Sequence, residues 1–269
     1  MNAGWLRRAQ PLLGTLVEMA IHLPDGGGGG GGGGGSESDG AADTENHARL
    51  DAAFDAVRAV QACLSRFEPH SDLTRFHALS CGERMTIRPA TQQVLAAAQT
   101  LFDATDGAFD ISLGTAPGGW RCSGDQLHKF DAAVRLDLGG IGKGYAVDCA
   151  VQRLIDSGCR AGWVNAGGDL RAFGDVDLPV QLRMEASGGV RPFGSLRDGA
   201  FATSHFARDS RSQLAGPRTG TGQIAPVFAH VSVAAPLCLW ADALTKIVAA
   251  SGDTAHPLLA RFEACAWLH

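Results

Sequence analysis

Residues 136–148 read LDLGGIGKGYAVD, with four glycines and one lysine set between a short apolar run and an amphipathic stretch. The apolar start predicts a strand over 136–138. Apolar residues at 146, 147, 150, 151, 154 and 155 recur at helical spacing, which predicts a helix over 144–156 that stops at Gly158. A strand, a glycine-rich turn and a helix start bring backbone N–H groups and the positive end of a helix dipole to one point, and such a point attracts an anion. Lys143 adds positive charge there, and glycine lets a ligand approach the backbone closely. The plain alternative is a tight strand-to-helix turn with an exposed lysine.

Two common phosphate motifs fail on this stretch. A Walker A loop needs a glycine five residues before Gly142 and Ser or Thr after the lysine, but Asp137 and Gly144 stand there. A dinucleotide fingerprint would need glycine where Tyr145 stands.

Outward from the loop, the pattern predicts helices from about residue 46 to 64, over 91–104 and over 239–250, the last stopping at Gly252. Strands are expected over 12–23, 162–166, 179–185, 229–235 and 263–268. Helices and strands do not alternate regularly, so the fold class is α+β, with mixed sheets packed by helices in one domain over residues 1–269. Ten glycines at 26–35, followed by a polar run, predict a disordered surface loop over 25–45.

Composition narrows the function. The chain has 269 residues, 45% of them apolar, which is enough for a core, and its net charge of −5 provides no basic field for nucleic acid. No stretch approaches the roughly 18 apolar residues needed to span a bilayer. The start lacks a cleavage site, so the chain reads as cytoplasmic as written, or periplasmic if a signal peptide is missing. Seven cysteines without a CxxC pair read as buried reduced thiols.

Three further clusters stand out: DGAFDIS at 106–112, VNAGGDL at 164–170 and WADALTK at 240–246, the last with Asp242 and Lys246 one helical turn apart. Each alone is an ordinary turn or surface ion pair. Taken in order, RRAQPLLGTLVE, LSRFEPHSDLTRFH, DGAFDIS, LDLGGIGKGYAVD, VNAGGDL, ATSHF, GPRTG and WADAL resemble the ApbE family of FAD:protein FMN transferases, from about residue 7 to the C-terminus.

The resemblance implies an enzyme that cleaves FAD, transfers FMN to a threonine of an acceptor flavoprotein and releases AMP, with Mg²⁺ as cofactor. It implies that Leu13 and Phe67 flank the flavin, that Ala108, Phe109, Asp110 and Asp137 contact FAD, and that Lys143 meets the phosphates. It implies metal ligands at Gly140, through its carbonyl, and at Asp242, with Thr245 as a further ligand if the helix is shifted. Asp242 and Lys143 are then expected in catalysis.

Two departures qualify this. The family usually carries HIxDPRTG, but here QLAGPRTG puts Gln213 and Gly216 at the histidine and aspartate, and glutamine cannot act as a base. His205 is the candidate replacement. Where the family reads ADALxT, this chain has Lys246 at the threonine and Thr245 one residue earlier, about 100° around a helix. These departures leave two alternatives to transfer: FAD binding without catalysis, and hydrolysis of FAD to FMN and AMP.

Overall fold

The computed structural model describes residues 4–23, 37–184, 188–206 and 230–269. Along the chain it contains β1 (Trp5–Leu12), β2 (Thr15–His22), α1 (Glu37–Leu64), α2 (Asp72–Ala78), β3 (Arg84–Thr86), α3 (Pro89–Ala104), β4 (Trp120–Ser123) and β5 (Gln126–Lys129). There follow α4 (Gly142–Asp156), β6 (Gly162–Ala166), β7 (Asp169–Phe173), β8 (Leu178–Arg183), β9 (Val190–Leu196), β10 (Gly199–His205), β11 (His230–Ala235), α5 (Cys238–Ser251), α6 (Pro257–Arg261) and β12 (Cys265–Leu268).

Seven strands form the main sheet in the order β1-β2-β6-β7-β10-β11-β12, while β3-β5-β4 and β8-β9 form two small sheets. The class is α+β, and every described strand pair is antiparallel rather than mixed in direction. Tight turns account for this. The expected strand over 12–23 is a hairpin: Leu13 and Gly14 both have positive φ, 55° and 71°, as a two-residue type I′ turn requires. Gly167 and Gly168, at 65° and 103°, make a second such turn between β6 and β7.

Helices α4 and α5 pack on one another and on this sheet, and α1 packs on α4. The buried face of α4 carries Ala146, Val147, Ala150, Val151 and Leu154, the stripe expected from the sequence. Fully buried Met19, Ile21, Leu50, Phe54, Leu95 and Leu101 belong to the same core. Each such side chain contributes about 1.5–3 kcal/mol by leaving water. The start of α5 is held from α4: the Asp148 carboxylate accepts from the amides of Cys238 (3.0 Å) and Leu239 (2.8 Å) and pairs with Arg171 (2.8 Å). Burial raises the pKa of Asp148, and these hydrogen bonds and the guanidinium oppose the rise.

Several expectations need correction. Residues 136–138 join no ladder, because the Leu136 amide donates to His77 Nε2 (2.9 Å) and the Asp137 amide to the Ile111 carbonyl (2.8 Å). Of the loop expected over 25–45, residues 37–45 belong to α1, which begins at Glu37, and residues 25–36 lie outside the described residues. All seven cysteines are free, yet only Cys63, Cys159 and Cys238 are buried, while Cys81 and Cys265 are exposed.

Candidate functional site

One end of the main sheet gathers the chemistry. Val17 pairs with Ala166 and Asp169 pairs with Ala202, so the β1–β2 turn, the Gly167–Gly168 turn and the end of β10 lie at the same edge. They are closely fitted: a Cβ on Gly167 would fall 2.4 Å from the Thr15 hydroxyl. The start of α4 reaches this end through Lys143, whose ammonium bonds the carboxylate of Asp169 at the first position of β7.

The glycine loop is built from within. Asp137 folds it by accepting from the Gly139 amide (2.7 Å), and the Leu138 carbonyl accepts from Ile141 (3.1 Å) and Gly142 (2.7 Å). The Gly144 amide donates to Asp242 Oδ2 at 3.1 Å. The amides of Gly142 and Gly144 are therefore already committed, and the anion cradle expected at this helix start is smaller than its glycine content suggests. Gly144 has another role: a Cβ there would lie 2.2 Å from the Cys238 carbonyl oxygen and 2.9 Å from Asp242 Cβ, so glycine lets α4 and α5 touch.

A second lysine lies beneath the loop. The Lys246 ammonium bonds Asp242 Oδ1, donates to the Asp242 carbonyl at 3.0 Å and donates to Ser204 Oγ at 2.9 Å. Gly140 sits on its stem, where a Cβ would fall 3.3 Å from Lys246 Cε. Thr245 is buried, with its hydroxyl 2.8 Å from Ser204 Oγ and donating to the Asp242 carbonyl at 2.7 Å.

Electrostatics tie the two lysines together. Burial alone raises the pKa of the fully buried Asp242 carboxyl, but the charges of Lys143 and Lys246, with the hydrogen bonds from Lys246 and the Gly144 amide, together hold the group below its ordinary value. Burial lowers the pKa of Lys143; Asp242 opposes that shift and Lys246 adds to it.

A divalent ion can be tested against these donors. Mg²⁺ demands near-octahedral oxygen ligation at about 2.0–2.1 Å. The point shared by the Asp242 carboxylate, the Asp242 carbonyl and the Ser204 hydroxyl holds an ammonium that uses all three of its N–H donors. Among the described residues, no group of three or more His, Cys, Asp or Glu gathers as a metal site. Of the expected donors, Asp242 does not fit Mg²⁺ while Lys246 engages its carboxylate and its carbonyl, and the Thr245 hydroxyl donates to that same carbonyl.

Beside the loop opens a cleft of ≈ 400 Å³ lined by Arg66, Phe67, His77, Ser112, Leu113, Thr115, Arg135, Leu136 and Asp137. Phe67 is 81% exposed, with the Arg66 guanidinium 4.8 Å from its ring centre, and Arg66 also approaches Asp137 at 3.4 Å. Leu13 lines a second hollow with Gly14, Thr15 and Gln61, and its amide donates to Gln61 Oε1 at 2.8 Å.

The other expected residues are engaged with neighbours of their own. Ala108 is exposed, but Phe109 is in the core and Asp110 is 5% exposed. The Asp110 carboxylate is spent on its own loop, accepting from the Ser112 amide (2.8 Å), the Ser112 hydroxyl (2.6 Å) and the Gly114 amide (3.3 Å). His205 stacks on His230 with ring centres 4.4 Å apart. Adjacent strand residues point to opposite faces, so Ser204 meets α5 while His205 turns away from it. Gln213 and Gly216 lie outside the described residues. Asp169 and Ser204 are given no role by the sequence, although VNAGGDL and ATSHF contain them.

Known proteins share this arrangement's fold and sequence pattern. A profile of the ApbE family matches residues 13–132 and 120–267. An FAD:protein FMN transferase of Chlamydia pneumoniae is 23% identical over 240 residues, 74% of each chain. One from Treponema pallidum is 26% identical over 255 residues, covering 74% of this chain and 70% of the relative. The apo crystal structure of Pseudomonas stutzeri flavinyl transferase ApbE superimposes with a TM-score of 0.72 at 21% identity, covering 97% of this chain and 90% of that one. With both halves matched by the profile and the fold shared end to end, the chain belongs to the ApbE family.

Proposed function

We propose that this chain is an FAD:protein FMN transferase that moves the FMN half of FAD onto a threonine hydroxyl of an acceptor flavoprotein. The threonine oxygen forms a bond to the FMN phosphorus, the pyrophosphate P–O bond breaks, AMP leaves with the electron pair, and the hydroxyl proton is released. The observation that carries this reading is the convergence of Lys143, Lys246 and the glycine loop at one sheet end, beside a cleft with two arginines. Phosphoryl transfer depends mainly on positioning and on neutralising charge, which these groups supply.

In this reading Lys143, whose side chain is 32% exposed, meets the pyrophosphate, with Asp169 holding it in place. Exposed Phe67 and the Leu13 turn flank the flavin. Asp137 shapes the loop that carries the phosphates, and the 108–110 turn supports the cleft from behind. Lys246 engages the Asp242 carboxylate and carbonyl that would otherwise face a metal ion.

Incubation with FAD and an acceptor carrying the target threonine tests this. The expected result is AMP in equal amount to acceptor that fluoresces as flavin on a denaturing gel. AMP without labelling identifies an FAD pyrophosphatase, and intact bound FAD identifies a binding protein.

A further inference from the structure

We infer that Lys246 is a tethered cation of the phosphate site, standing where a divalent metal would otherwise bind, so that this chain handles its phosphoanhydride without a divalent ion. The inference rests on the transferase reading for its substrate and on the geometry for its cation.

The cage around Nζ is made of a carboxylate, a backbone carbonyl and a hydroxyl, all hard oxygens of the kind that ligate Mg²⁺. An ammonium has three donors and no lone pair, and each donor here has its own oxygen. The side chain is 11% exposed and Asp242 fully buried, so the ammonium is held in place and offsets the buried carboxylate that a metal ion would otherwise offset. Gly140 against Cε shows that the loop is seated on this side chain rather than on open space.

Charge balance agrees. Lys143 and Lys246 carry two positive charges against the two carboxylates of Asp169 and Asp242. A divalent ion added to this set would face an ammonium in bonding distance of the same oxygens. With all three donors used within the protein, Lys246 neutralises Asp242 and supports the loop above it, and Lys143 is left to touch the substrate. Lys246 is therefore a positioning and electrostatic residue rather than one in contact with the reacting atoms.

Manganese provides a probe that does not depend on activity. The free-Mn²⁺ spin-resonance signal, titrated with the wild-type chain with and without FAD, is expected to show no stoichiometric binding, and AMP release from FAD is expected to persist in EDTA. In Lys246→Thr, which empties the cage and adds a hydroxyl, one Mn²⁺ per chain is expected to bind, Mg²⁺ to raise the melting temperature by about 5 °C or more, and AMP release to become EDTA-sensitive. A merely structural lysine would leave the variant without metal rescue. One tightly bound Mn²⁺ per wild-type chain, or wild-type AMP release abolished by EDTA, overturns the inference whether or not the variant folds. If the wild type releases no AMP under any condition, the transferase reading fails, and Mn²⁺ binding and melting still decide the cation.

Discussion

Two lysine–aspartate pairs stand at the same end of the sheet, and they do different work. Lys143–Asp169 joins the first turn of α4 to the start of β7, with the lysine side chain a third exposed. Lys246–Asp242 lies within one turn of α5, with the lysine 11% exposed and the aspartate buried. The first pair leaves an ammonium that a ligand can reach. The second satisfies its ammonium within the protein and contributes a fixed charge. One buried and one accessible cation give a site that is pre-organised without being closed.

Separating the pairs gives the largest expected effects. Lys143→Met removes the accessible charge, and AMP release should fall by about 100-fold or more in a quenched assay. Lys246→Met instead strands a buried carboxylate, and denaturant melts should show a loss of about 3–5 kcal/mol. If the two variants gave the same balance of lost rate and lost stability, the distinction between the pairs would collapse.

Gly144→Ala tests the contact that holds the pairs together. Its new methyl meets the Cys238 carbonyl and Asp242, and the chain should lose about 1–3 kcal/mol of stability. Because burial lowers the pKa of Lys143, the ammonium is lost at a lower pH than an ordinary lysine, so AMP release should decline early on the alkaline side. Lys143→Arg should move that decline to higher pH, since a guanidinium stays charged. Ser204→Ala removes one of the three acceptors of Lys246 and should cost about 1 kcal/mol, whereas His205→Ala, on the other face of β10, should leave AMP release within about threefold.

Much of this was legible in the sequence, and the reasons differ by region. Helices α3 and α4 carry long amphipathic stripes, α5 is apolar and buried on nearly every side, and Gly252 ends it in the left-handed conformation expected of a helix stop, at φ 66°. The β1–β2 hairpin was hidden because its turn places Leu13, a residue with no turn preference, at positive φ. The unpaired stretch at 136–138 reads as a strand by its apolar side chains, and only its tertiary partners, His77 and Ile111, show that its amides are satisfied elsewhere. At the site, the i,i+4 spacing of Asp242 and Lys246 predicted their pairing. Asp169 and Ser204 were harder to find. Their importance comes from which sheet end and which strand face they occupy, and that depends on strand order and parity rather than on local sequence.

The intact mass of an acceptor flavoprotein after incubation with this chain and FAD tests the central claim most directly. The acceptor is expected to gain the mass of one FMN less one water, and the gain to disappear when its target threonine is replaced by alanine. An acceptor of unchanged mass in the presence of folded, FAD-bound enzyme would contradict that claim.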